Sequence, residues 1–229
     1  MRNSLAPGAE QLLVKHFRRL ENTSDNDIDF FLTRHIFEKT LPHISASVSD
    51  VMDCVNHLFH EAGQDMAAGH IFGAYISFCE QDVSRPASAL AKIESGAAPK
   101  DLLTPTLVAG SHLEAETWFE ETLRLTRHSD PELRRRAVFA LCKINWPPDS
   151  TAAARVVETT EEIVGCSNND GELAVAVLAV LEAVKRDESL QGRMQAVVKN
   201  ALHKGDWQAL HAVSEKLAFD TSSVPEDLL

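Results

Sequence analysis

Glycine and proline are scarce in this 229-residue chain, at 10 and 9, which excludes a collagen-like or linker-rich polypeptide. Strict apolar/polar alternation is nearly absent and β-branched runs longer than two are hard to find, so no sheet is expected. No apolar run approaches the roughly 20 residues that span a bilayer. The longest, Leu173–Leu181, has nine. The opening residues Met1–Glu10 lack the apolar stretch of a secretory signal, so a cytoplasmic chain without membrane contact is expected. Cysteine is limited to Cys54, Cys79, Cys142 and Cys166, with no Cys-x-x-Cys pair. A chain this long needs no disulfide framework, and the four are expected to be reduced and mostly buried. Cations are the minority charge: 22 Lys and Arg stand against 34 Asp and Glu, a formal −12. Such a chain repels phosphate backbones unless its basic groups are focused on one face. There is no Gly-x-Ser-x-Gly, phosphate-binding loop, Gly-x-Gly-x-x-Gly or His-Glu-x-x-His, so the motifs predict no enzyme, no catalytic residue, no cofactor and no metal.

What is present is ordinary globular composition, 44% hydrophobic and 24% charged, enough for one large domain or two small ones. Apolar residues recur at spacings of three and four, the helical period. Helices are expected near 7–21, 26–41, 49–62, 65–80, 86–95, 100–109, 112–127, 131–145, 150–164, 171–186, 189–204 and 206–219. Capping side chains at Ser49-Asp50, Ser129-Asp130, Asn169-Asp170 and Gly205-Asp206 mark helix starts, and Pro131 suits a first helical position. Gly63, Gly96, Gly110, Gly165 and Gly205 fall where helices should stop. Short connections make neighbouring helices antiparallel. The chain is all-α.

It also repeats. Asp130-Pro-Glu-Leu133-Arg134-Arg-Arg-Ala137-Val-Phe-Ala140-Leu141-Cys-Lys-Ile144 aligns at an offset of 40 with Asp170-Gly-Glu-Leu173-Ala174-Val-Ala-Val177-Leu-Ala-Val180-Leu181-Glu-Ala-Val184. Asp206 opens a third copy that keeps the apolar positions at +3, +7 and +11. Each copy follows another amphipathic helix, and pairs at this period bury their stripes only by stacking.

Asp130-x-x-Leu133-Arg134-x-x-Ala137-x-x-Ala140-Leu141-x-x-Ile144 resembles the second helix of a HEAT repeat. The resemblance covers residues 111–220 and implies a right-handed α-α superhelix, a HEAT-like solenoid of antiparallel helix pairs. It implies a structural ladder between successive repeats, here Asp130, Arg134 and Asp170, with the ladder arginine replaced at Ala174 and Leu210. Residues 1–110 form divergent helix pairs, and 221–229 read as a loose polar tail.

Several clusters carry residue types capable of chemistry. Asp53, His57 and Glu61 share one face of a predicted helix, with His60 rotated about 100° from Glu61; His70 and Glu80 on the next helix do not repeat the spacing. A solvated face explains them better than a metal. Arg124, Arg127, Arg134, Arg135 and Arg136, with His128 and Lys143, gather around one turn. Three consecutive arginines sweep about 200°, so they cannot all serve one ladder. Cations at a helix N-terminus call for a nearby anion: Glu132, a neighbouring repeat's carboxylate, or a ligand. HEAT-like DNA glycosylases carry tryptophans and an aspartate on a basic concave face, which Trp118, Trp146 and Trp207 with Asp149 or Asp206 invite comparison with. The charge of −12 argues against duplex nucleic acid.

The expected function is a non-enzymatic protein–protein scaffold or adaptor binding a protein partner on its concave face. The alternatives are a HEAT-like nucleic-acid-binding protein or DNA glycosylase, and an acidic immunity or inhibitor protein neutralising a basic partner. The expected partner strip is Arg135, Phe139 and Lys143, then Val175, Ala179 and Ala183, then His211 and Glu215.

Overall fold

Helical periodicity is realised throughout the described residues, with side-chain caps at Asp130 and Asn169 as expected and at Ser47 in place of the expected Ser49-Asp50. A computed structural model describes residues 9–22, 28–63, 69–148, 151–205 and 207–219; among them are twelve α-helices, three short 3-10 turns and no strand. No helix among them is long and apolar enough to cross a membrane. The expected helix over 206–219 opens at Trp207, Asp206 lying outside the described residues, as does the tail 221–229. The chain divides into two compact units between Leu113 and Glu114.

The first unit holds α1 (Ala9–Phe17), α2 (Ile28–Thr40), α3 (Val48–Glu61), α4 (His70–Glu80), α5 (Ser84–Glu94) and α6 (Leu103–Leu113). Its central element is α6, which packs on α4 and α5. Every residue from Pro105 to Ser111 is buried. No Asp, Glu, Lys or Arg occurs between Leu103 and Leu113, and a helix apolar all round must be covered all round. Gly110, expected to end a helix, therefore lies inside one. The Tyr75 hydroxyl donates to Thr106 Oγ1 at 3.0 Å, and Thr106 donates on to the Leu102 carbonyl at 2.7 Å, so the polar atoms of this core are partnered. Gly63 and Gly96 follow α3 and α5 at φ 58° and 75°, the left-handed conformation that ends helices.

The second unit holds α7 (Ala115–Leu125), α8 (Pro131–Ala140), α9 (Ala152–Cys166), α10 (Asp170–Arg186), α11 (Gln191–Lys204) and α12 (Trp207–Phe219). The longest of these, α10, touches α8, α9, α11 and α12, while α7 packs on α8 and α9 on α11. That explains the near-continuous apolar run in α10: nine of its residues are buried, including Leu173, Val177 and Leu181. Asp130 caps α8, accepting from the amides of Glu132 at 2.9 Å and Leu133 at 3.2 Å, with Pro131 at the first helical position.

The expected helix 131–145 stops at Ala140. Pro147 and Pro148 cannot continue it, and the Trp146 indole N–H takes the Leu141 carbonyl at 2.8 Å.

At the start of α10 the cap is Asn169, whose side chain accepts from Glu172 N. Asp170 is thereby released to bind the amides of Gln208 at 2.8 Å and Ala209 at 3.2 Å, closing the first turn of α12. Gly205 sits against this contact: a Cβ there would lie 2.8 Å from the Ala201 carbonyl and 2.9 Å from both Ala209 Cβ and Asp170 Oδ1. Its φ of −79° suits any residue, so glycine is required by close approach and not by conformation.

Leu181→Ala should cost about 2–5 kcal/mol in denaturant titration, as fully buried leucines do. The half-buried, ion-paired Glu182→Ala should cost about 0.5 kcal/mol or less. Equal costs would show that the facing of α10 is wrong. Gly205→Ala should destabilise by roughly 1–3 kcal/mol. Gly73→Ala, where a Cβ meets nothing within 4 Å inside α4, should instead stabilise by about 0.5–1 kcal/mol. The same titration reads both.

Candidate functional site

The arginines around the α7–α8 turn each reach a carboxylate. Arg134 binds Glu172 of α10 through Nη2 at 2.9 Å and Nε at 3.2 Å, and its Nη1 donates to the His128 carbonyl at 3.1 Å. Arg135 and Arg136 both turn to Glu132, at 2.8 and 2.7 Å. The 200° sweep is thus divided: one arginine crosses to the next helix pair and two stay on α8. Arg124 pairs within α7 with Glu121 at 2.6 Å.

Three further arginines bridge successive pairs. Arg127 holds Glu162 at 2.8 Å, Arg155 holds Glu120, and Arg193 holds Glu161 at 2.5 Å. Lys204 donates to the Val164 and Gly165 carbonyls at 2.6 and 2.8 Å, a cation on the C-terminal end of α9. These ties join residues 32 to 40 apart in sequence, one helix pair to the next.

Between the first two pairs lies an open groove of about 640 Å³. Thr126, Val138, Thr159 and Ile163 supply its apolar lining, with Arg127–Glu162 and Arg134–Glu172 at its margins. Glu172 is buried, and its second oxygen accepts from Ser167 Oγ at 2.6 Å, so its charge is fully compensated. Cys166 lies exposed at the same groove. The expectation of mostly buried thiols fits Cys54 and Cys79 only, where burial pushes the thiol up to about 12. Cys142 is half-buried.

The expected partner strip is broken up. Lys143 lies in the turn beyond α8, and its ammonium sits 5.5 Å from the Phe139 ring centroid, so Phe139 is half-buried and covered on one side. Arg135 is half-buried and engaged by Glu132. Val175, Ala179 and Ala183 are core residues, exposed by 8%, 0% and 0%. The reason is the crowding of α10 by four neighbours, which leaves Ala174, Leu178 and Glu182, one position away, half-exposed. His211 is exposed and packs against the Trp207 ring at 5.3 Å between centroids. The Glu215 side chain lies outside the described residues.

The α3 face read from the sequence as solvated is instead tied to the rest of the fold. Asp53 pairs with Arg18 at 3.1 Å, His57 Nε2 donates to the Leu20 carbonyl at 2.7 Å, and Glu61 accepts from Asn22 N at 3.0 Å. All three fasten the 18–22 turn to α3. His60 is exposed beside Phe59, His70 lines a shallow groove with His35 and Glu38, and Glu80 pairs with His112. Among the described residues no three His, Cys, Asp or Glu side chains come together as a metal site.

Of the tryptophans, Trp118 and Trp146 are buried, the latter under the Arg186 guanidinium at 4.0 Å. Trp207 is 63% exposed and Leu210 56%. This surface was missed because the sequence register treats Trp207 only as the residue after a cap; its signal was a Trp–Leu–His set at i, i+3, i+4 on the last helix. Asp149 and Asp206 lie outside the described residues.

Comparison with known proteins finds no matching family model, no matching curated protein and no matching solved structure.

The arginine ties set an acid limit on stability. Hydrogen bonds from Arg155, Arg135 and Arg193 hold the Glu120, Glu132 and Glu161 carboxyls below their usual range. Carboxylates lowered in the folded state contribute stability above their unfolded pKa, about 4.3, and lose it as pH falls through the folded value. Because the pairs are largely solvent-exposed, each is worth roughly 0–1 kcal/mol. The melting temperature should therefore hold between pH 7 and about 5 and fall below about pH 4.3. Glu120→Gln with Glu161→Gln should shrink that fall. A fall of the same size in the double variant would assign it to other groups.

Proposed function

We propose that this protein is a non-enzymatic interaction module, its second unit a short HEAT-like stack of three antiparallel helix pairs in a right-handed superhelix that receives a protein partner. One observation carries the proposal: polar ties join residues 32 to 40 apart at successive steps, Arg155 to Glu120, Arg134 to Glu172, Arg193 to Glu161 and Asp170 to α12. A recurrent tie one pair long supports stacked repeats, and stacked repeats present extended surfaces built for other macromolecules. The proposed ladder consists of Arg134 crossing to Glu172 and Asp170 crossing to α12, with Asp130 serving its own helix.

The partner is a protein. The arginines that would make a nucleic-acid face are engaged by carboxylates within the unit, and two of the three tryptophans are buried. Both features favour a scaffold over a DNA glycosylase. The surface offered is the half-exposed line Ala174, Leu178 and Glu182 on α10, with the exposed residues of α12.

Affinity capture with the tagged full chain from native lysate of its source, after mild crosslinking, should recover a protein at defined stoichiometry, unchanged by nuclease. Recovery that disappears with nuclease would favour the nucleic-acid alternative, and recovery of no protein would overturn the interaction module.

A further inference from the structure

Helix α2 is apolar on two sides. Phe30, Arg34 and Phe37 are buried where α2 packs on α4 and the 41–43 turn, and the Phe37 ring lies 4.3 Å from that of Phe17. At 100° per residue, Asp29, Leu32, Ile36 and Lys39 fall within about 80° of one another on the other side. All four are exposed, Leu32 by 57% and Ile36 by 53%. Helices with apolar residues on both sides are ones that proteins cover on both.

The order of the outer four is as particular as their exposure. Their spacings of three, four and three form the seam by which helices pair. Asp29 and Lys39 stand five residues either side of position 34, and Leu32 and Ile36 stand two. A two-fold axis through that midpoint runs α2 antiparallel to a copy of itself. It sets Leu32 opposite Ile36 of the second copy and Asp29 opposite Lys39 of the second copy, each contact occurring twice. The seam then closes with apolar residues at its centre and an acid against a base at each end. The dipole of α2 by itself favours an acid first and a base last, but it does not require the two to be symmetric about the apolar pair. The other exposed residue of this side, His35, lies off the seam with Nδ1 3.5 Å from Glu38, and Thr33 and Thr40 border the opposite edge half-buried.

We propose that the outer face of α2 pairs antiparallel with α2 of a second copy of this chain, Leu32 against Ile36 and Asp29 against Lys39 across a two-fold axis. The contact lies in the first unit and is separate from the partner surface proposed for the second. One pair of short helices falls below the roughly 1,200–2,000 Å² of a standard interface. The dimer is therefore weak, with a dissociation constant of about 10–100 μM.

Sedimentation of the full chain between about 1 μM and 1 mM, a range that brackets this constant, should show monomer passing to dimer. Leu32→Gln with Ile36→Gln should weaken the dimer by at least about tenfold. The melting temperature of the dilute chain should hold, because both residues are on the surface. Asp29→Lys and Lys39→Asp should each weaken the dimer by a similar factor, since like charges then meet at both ends. An equimolar mixture of those two variants should restore it, because every lysine again meets an aspartate. Mixing alters neither chain, so recovery cannot come from repaired folding.

A chain monomeric throughout, a dimer indifferent to Leu32→Gln with Ile36→Gln, or a mixture that stays monomeric overturns the proposal. Dimerisation that begins only after deletion of 1–8 gives the face to the chain's own opening residues and overturns it as well. So does a monomeric chain that captures another protein from lysate and loses it with Leu32→Gln and Ile36→Gln, which gives the face to a different partner.

Discussion

Asp170 stands on the first turn of α10 and binds the first amides of α12, 38 and 39 residues further on. The amides at a helix N-terminus have no intrahelical partners and carry partial positive charge, so a carboxylate there satisfies donors and dipole together. Two local features make the contact possible. Asn169 takes over the capping of α10, and Gly205 leaves the space the carboxylate fills. From the same turn Glu172 reaches back to Arg134 of α8. One helix start thus contacts α8 of the preceding pair and α12 of the following pair, two of the four helices against which Val175, Ala179 and Ala183 are buried.

The surface charge has the same origin. Of the arginines that look from the sequence like a basic cluster, Arg127 and Arg134 tie one helix pair to the next, and Arg124, Arg135 and Arg136 pair within their own helices. The guanidiniums of this cluster are engaged by the chain's own carboxylates, so the charge there is balanced. The groove between the first two pairs is margined by two such ties, so its chemistry is balanced rather than cationic.

Much of the fold was legible because its signals are local. Periodicity, Pro131, Asp130 and the glycines after α3 and α5 each act within a few residues of the boundary they set. What escaped was decided at long range. Gly110 ends nothing because α6 is enclosed by α4 and α5. Asp170 appears interchangeable with Asp130 in the alignment, yet Asn169 displaces it from its own helix. The strip through Val175 was misplaced by one position because a register on one helix cannot show how many neighbours surround it. Phe139 and Lys143 were assumed to share a helix that the Trp146–Leu141 hydrogen bond and two prolines end early. The exposed Trp207 was passed over for the opposite reason: its isolation shows only once its neighbours are placed.

The central claim is that the N-terminal turn of α10 secures α12, and amide hydrogen exchange in Asp170→Ala tests it most directly. Protection should fall at Gln208, Ala209 and the turn that follows, while the first turn of α10, still capped by Asn169, keeps its protection. Loss of protection at the start of α10 with α12 unchanged would contradict the account.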